Sequence, residues 1–381
     1  MKHTAAGLFA ACLLLGLTSF GPGRADRAGM FLRDRFGPDA GSAGEESRYL
    51  EIIPGSADAQ RCAHAGYRLK GVPGAAAALL GYCLPGFTIM AALAAALPRL
   101  GGVAAVQGAL AGLGAAAPAV CLLGGADILR RLARAPLLWA MSAACGMLFF
   151  LGLKAFAMIL GGAVIAVLLL PDPEGLPDTP GKTHYRWGLP IGLFLGFAAT
   201  TGACFWADPA LGRLFMGVAK AETYGLGGLG GPSLLFADAV RLRHWMEAVP
   251  FAQLMALAQA VPGPSMALAA FAGYAAKGVA GAAAAFAAAC MASLFLFLSA
   301  VPAARLIASS AWAWKAAQGA SAVLGGLCIG LAGRFAVDAA WDLPRACIAG
   351  SAALALGLRV NPAWAALAAA LAGAFLPGHP A

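Results

Sequence analysis

Between Phe251 and Gly281 an apolar stretch, FAQLMALAQAVPGPSMALAAFAGYAAKGVAG, is interrupted at Pro262, Gly263 and Pro264. Neither proline carries a backbone N–H, and Gly263 adopts dihedrals closed to other residues, so no regular helix runs through the tripeptide. In water such a break is a loop between helices. Here the flanks are as apolar as a membrane span, and broken backbone at membrane depth survives only where protein or a wet cavity satisfies it. The segment that restarts at Ser265 presents N–H groups and the positive end of a helix dipole, which together suit an anion. The plainer alternative is a Pro-kinked helix or an ordinary loop.

Composition decides the surroundings of that break. Of 381 residues, 61% are hydrophobic and only 11% charged, with mean hydropathy +0.79. Soluble domains are about half apolar and a quarter charged. The chain therefore reads as an all-α polytopic membrane protein, with the lipid bilayer as its main partner. The net charge of +9 is scattered between apolar blocks. That pattern sets orientation rather than binding nucleic acid. The nine cysteines contain no C-x-x-C pair, and most lie in apolar runs as small hydrophobes. No metal site, disulfide framework or cofactor follows from them. Gly263-Pro264-Ser265-Met266 superficially resembles a Gly-x-Ser nucleophile, but the five histidines lie mostly in loops or termini and no span supplies a partner base. The reading is not an enzyme.

Two equivalent halves organise the chain. Gly66-Tyr67 and Gly273-Tyr274 are 207 positions apart, as are Gly71-Val72-Pro73-Gly74-Ala75 and Gly278-Val279-Ala280-Gly281-Ala282. Pro54-Gly55 precedes Pro262-Gly263 by 208, and Phe20-Gly21-Pro22-Gly23 precedes Leu229-Gly230-Gly231-Pro232 by 209. Full spans of about 20 apolar residues are placed at 75–98, 102–125, 188–206, 209–229, 279–300 and 316–337, with shorter pairs at 136–152/154–170 and 344–358/361–377. The run Ala5–Leu17 reads as a first span, with a signal peptide as the alternative. The expected organisation is a first repeat over 1–170, a linker over 171–187, a connecting helix over 188–208 and a second repeat over 209–381. If each Pro-Gly segment crosses the membrane the repeats are inverted; if each re-enters they are parallel. Inversion suits alternating access and is the expectation, although Lys and Arg divide more sharply between the two sides in the parallel arrangement.

Gly16-Leu17-Thr18-Ser19-Phe20-Gly21, Gly230-Gly231-Pro232, Ala258-Gln259-Ala260-Val261-Pro262-Gly263-Pro264 and Arg359-Val360-Asn361-Pro362 resemble motifs of the chromate ion transporter family. The resemblance covers nearly the whole chain as two family domains. It implies transport of chromate, with sulfate as a structural mimic, by efflux across the inner membrane in a multi-pass protein compatible with a homodimer. Other readings are a transporter of another anion such as sulfate, or a degenerate non-transporting copy.

The first half departs from the pattern. Gly21-Pro22-Gly23 replaces Gly-Gly-Pro, Pro54-Gly55-Ser56 replaces Pro-Gly-Pro, and Glu51 stands where the second half has Gln259. Gln60 matches the glutamine that family members place after the motif. Substrate contacts are therefore expected from Gln259, Pro262, Gly263, Pro264, Ser265, Gly230, Gly231 and Pro232, joined by Gly21, Pro54, Gly55, Ser56 and Gln60, with the second half foremost. Lys220 and Glu222 fall inside an expected span, where charges are functional candidates.

Overall fold

The computed structural model describes residues 4–20, 24–37, 55–132, 135–173, 176, 188–225, 230–301, 306–307 and 309–375. Among them every regular element is helical. In the first half these are α1 (Ala5–Thr18), α2 (Arg24–Phe36), α3 (Ala57–Leu100), α4 (Ala104–Arg130), α5 (Pro136–Phe150) and α6 (Ala155–Leu169). A single helix, α7 (Gly188–Ala207), leads to the second half. There follow α8 (Pro209–Tyr224), α9 (Gly230–Phe236, continued by a π-helical turn over Ala237–Leu242) and α10 (Ala248–Ala260). The chain ends with α11 (Leu268–Ala300), α12 (Ala311–Asp338), α13 (Leu343–Gly357) and α14 (Pro362–Ala374). Five helices among the described residues are long and apolar enough to cross a bilayer. Six of the others, α1, α5, α6, α10, α13 and α14, are shorter apolar helices. The chain is a multi-pass membrane protein.

The internal repeat is written in the backbone. Helices α12, α13 and α14 begin 207 positions after α4, α5 and α6 (104 to 311, 136 to 343, 155 to 362). Gly71 and Gly278 interrupt α3 and α11 with nearly the same left-handed geometry, φ 63°, ψ −148° and φ 59°, ψ −146°. Each is a tight reversal between two helical arms. The arms touch backbone to backbone at Gly66 and Gly74 in one half and at Gly273 and Gly281 in the other, leaving no space for a Cβ. The expected spans 75–98 and 279–300 are thus the second arms of helical hairpins whose first arms follow the Pro-Gly breaks.

Equivalent helices meet at the centre and run antiparallel. On α4 and α12, Leu129 packs over Gly325 while Gly125 faces Cys328 and Ile329, so residue numbers rise on one as they fall on the other. Cys121 lies beside Cys328, its own counterpart. On α3 and α11, Cys83 pairs with Cys290, again its counterpart, and the Phe87 ring sits 5.3 Å from Phe286. Counterparts that meet across antiparallel helices define a pseudo-two-fold axis perpendicular to those helices. The two halves also exchange their ends: α5 and α6 pack on α12, whereas α13 and α14 pack on α4. Small residues make these contacts close, with Gly146 against Gly326 and Gly330, and Gly112 against Ala369.

This packing favours inversion over the parallel arrangement suggested by Lys and Arg, which long loops and drifted charges weaken. Reporter fusions after Arg131 and after Asp338, counterparts 207 positions apart, are expected to report opposite sides of the membrane; same-side signals would exclude the inverted arrangement. Helix α7 has no counterpart. Only Pro190 of it is buried, and Phe194, Leu195 and Trp206 face outward as lipid-facing residues do. The polar stretch after Arg24 contains α2. Its Leu32 is fully buried and α2 packs on α3.

Candidate functional site

Two interrupted helices and the end of α8 converge on one cleft. From the first half comes the end of the Pro-Gly-Ser break, Gly55 and Ser56, where Ser56 is the N-cap of α3. From the second come Pro264, Ser265 and Met266, which begin the short 3₁₀ turn into α11. Gly225, Gly231 and Glu222 close one side, and Ala59, Cys83, Phe87 and Ser293 the other. Both breaks carry a glycine in the left-handed region, Gly55 at φ 117° and Gly263 at φ 100°. Each part of the cleft has room for about one water molecule. An oxyanion therefore enters only if the halves move.

Glu222 is the charged group at its centre. Its side chain is 3% exposed, and its Oε1 accepts hydrogen bonds from the Ser56 backbone N–H at 2.9 Å and the Ser293 hydroxyl at 2.5 Å. One of the orphan N–H groups at the start of α3, which the sequence suggested for an external anion, is thus already held by a carboxylate. Charge matters here: a dianion placed 4 Å from an ionised Glu222 is repelled by about 8 kcal/mol at an effective dielectric of 20. Lys220, two residues earlier, does not neutralise it. Its Nζ lies 3.1 Å from Asp238 and 4.5 Å from the Phe156 ring centroid, which makes it a latch between α8, α6 and the π-helical turn.

The structure gathers some of the sequence-derived candidates and sets others apart. Gly55, Ser56, Gly231, Pro264 and Ser265 line the cleft together. Gln60 lies directly beneath Gly55, fully buried, with its amide where a Cβ on that glycine would project. Gln259 sits before the break on α10, buried, and its amide donates at 3.5 Å to the Met255 carbonyl. It is not among the cleft residues. Pro262 and Gly263 press on Gly86 of the first half, and the Gly263 N–H donates to the Ser19 carbonyl at 3.1 Å. Gly230 backs onto the Gly225 carbonyl, and Pro232 is buried within α9. Gly21, Glu51 and Pro54 lie outside the described residues. Among the described residues, no cluster of His, Cys, Asp or Glu is arranged to hold a metal ion.

Sequence reasoning missed Ser293 and the pairing of Glu222. Comparing the halves reveals both: at the spacing of 209 that holds before Gly230, Glu222 corresponds to Leu13, and at the later spacing of 207 Ser293 corresponds to Gly86. A polar pair stands in one half where the other has an apolar and a small residue.

A duplicated helical membrane domain, with interrupted helices meeting between its halves, defines a carrier-type membrane protein. The family model described as "Chromate transporter" matches residues 46–167 and again 212–374, and the chain belongs to that family. It is similar to a "Chromate transport protein" of Cupriavidus metallidurans, 27% identical over 243 residues, covering 61% of this chain and 57% of that protein. A "Chromate transport protein" of Pseudomonas aeruginosa is 28% identical over 252 residues, 61% of this chain and 56% of the relative. A "Probable chromate transport protein" of Synechococcus elongatus is 25% identical over 253 residues, 65% and 61% respectively. The matched regions span less than two thirds of these relatives' own length. No solved structure matches the chain.

Proposed function

We propose that this protein carries a chromate-like tetrahedral oxyanion outward across the inner membrane, binding it in the cleft between the two Pro-Gly breaks. The observation that carries the reading is the cleft itself. It lies between halves related by a pseudo-two-fold axis, it is lined by the starts of two helices, and one of those starts already binds a carboxylate. Rocking of one half against the other opens such a site alternately to each side. Full dehydration of a dianion costs tens of kcal/mol in the ideal limit, while a helix terminus contributes about 0.3–2 kcal/mol. Several donors must therefore converge and water must remain. A site built from neutral donors binds weakly enough to release. The names of the relatives and the family support chromate as substrate, and sulfate shares its shape and charge.

The test is flux of radiolabelled chromate into proteoliposomes holding the purified full chain, with unlabelled sulfate as competitor. Saturable chromate flux slowed by sulfate is expected. Sulfate flux without chromate flux would make the protein a carrier of another anion, and no flux of either would make it a non-transporting copy.

A further inference from the structure

We propose that the Glu222 carboxylate is a built-in occupant of the oxyanion site, and that an oxyanion takes its place only as Glu222 takes up a proton. This rests on the transport reading above. The carboxylate has two oxygens and a negative charge, as one edge of a tetrahedral oxyanion does. It is held by the donor types such an edge needs, a backbone N–H at a helix start and a hydroxyl. Both parts of the cleft are lined by Glu222, and each leaves space for only about one water, so carboxylate and oxyanion do not share those donors. The repeat adds an independent observation. Leu13 and Gly86 stand at the corresponding positions of the other half, and there the Pro-Gly-Pro break closes directly on Gly86. The polar pair is thus special to this half, and scaffolding such a break does not require it.

The surroundings leave Glu222 as the group that titrates with the anion. From α3, Cys83 faces the cleft and pairs with Cys290 of α11. Asp58, in the first turn of α3, accepts from the Tyr82 hydroxyl at 3.4 Å. On α8 itself Lys220 is turned to Asp238. The segments contributing Gly231, Ser265 and Met266 bring no ionisable side chain to the cleft. Among the described residues Glu222 has no ion-pair partner. Protonation leaves the carboxyl neutral, frees the Ser56 N–H and the Ser293 hydroxyl, and turns Glu222 from a repelling group into an O–H donor. One proton enters from the water with each oxyanion and leaves with it on the far side. A dianion moving with one proton still carries one negative charge, so an inside-negative potential continues to drive it outward.

The full chain in detergent provides the test, with chromate as ligand and a pH dye counting protons at several buffered pH values. In the wild type, about one proton is taken up per chromate bound at pH values above the Glu222 midpoint. The half-saturating chromate concentration there rises about tenfold per pH unit. Chromate itself protonates near neutrality, so each profile is compared with that of Glu222→Gln, in which the substrate's own titration remains and the proposed contribution is gone. Glu222→Gln is expected to lose that extra slope and proton. Ser293→Ala removes a donor that favours the ionised carboxylate, so its midpoint moves to higher pH. If Glu222→Gln does not reach the membrane, the Ser293→Ala midpoint decides alone: an upward shift supports the proposal and an unmoved midpoint overturns it. A wild-type slope and proton count retained in Glu222→Gln also overturns it. Absence of chromate binding to the wild type at every pH defeats instead the transport reading on which it rests.

Discussion

Gly281→Leu is expected to remove most folded protein from the membrane. A Cβ at residue 281 runs into the carbonyl of Gly273, which is backbone and cannot swing aside. The arms of the α11 hairpin must separate, and with them the packing of α11 on α3 and α8. Overpacking costs about 1–3 kcal/mol, more where backbone meets backbone, against a total stability of about 5–15 kcal/mol. The control is Gly278→Ala at the turn itself. Its φ of 59° and ψ of −146° cost an L-residue about 1–3 kcal/mol, yet nothing lies within 4 Å of the added Cβ. The measurement is the yield of monodisperse protein after detergent extraction. A several-fold loss for Gly281→Leu, which adds the backbone clash and the branches of a leucine, with a clearly smaller loss for Gly278→Ala is expected; equal yields would show that the hairpin contact is dispensable.

Gly263→Leu is expected to abolish transport. The residue sits at φ 100°, with the site of an added Cβ 3.3 Å from the Gly86 Cα and 3.4 Å from its nitrogen. A leucine there meets strain of about 1–3 kcal/mol and finds no room for its branches against the first half. The sequence suggests that a side chain at 263 would fill the space an anion approaches. In the structure the obstruction falls on the contact between halves, where Gly263 also donates to Ser19. The consequence is a break that cannot close. Flux per molecule of extracted protein separates this from simple misfolding, and wild-type flux in a well-extracted variant would remove Gly263 from the moving contact.

Much of this architecture is legible in the sequence, because apolar length and glycine punctuation survive translation into helices directly. The spans other than 209–229, the short helix pairs near 136–170 and 344–377 and the 207-residue spacing correspond to elements within about five residues, whereas the expected span 209–229 contains the 16-residue helix α8, too short to count among the membrane-crossing helices. What stays hidden depends on how the halves interlock. Gln259 is adjacent to the break in sequence, yet it stands at the carbonyl end of α10, and the cleft lies on the Ser265 side, where a helix start exposes its N–H donors. Glu222 and Ser293 are 71 positions apart and meet Ser56 only through the crossing of α8, α11 and α3. The antiparallel relation of the halves is likewise a property of contacts such as Leu129 with Gly325 and Gly125 with Ile329, which charge counting in loops does not sense.

The location of the site between the two breaks is tested most directly by chromate flux in proteoliposomes at several concentrations, comparing Ser265→Ala with Gln259→Ala. Ser265 lines the cleft, whereas Gln259 is turned into its own helix. Loss of one donor to a charged ligand costs about 1.5–3 kcal/mol, roughly tenfold to a hundredfold in apparent affinity. Ser265→Ala is expected to raise the half-saturating chromate concentration by that factor, and Gln259→Ala to change it by less than about threefold, below 1 kcal/mol. The reverse order would place the oxyanion on the α10 side of the break and contradict the cleft as its site.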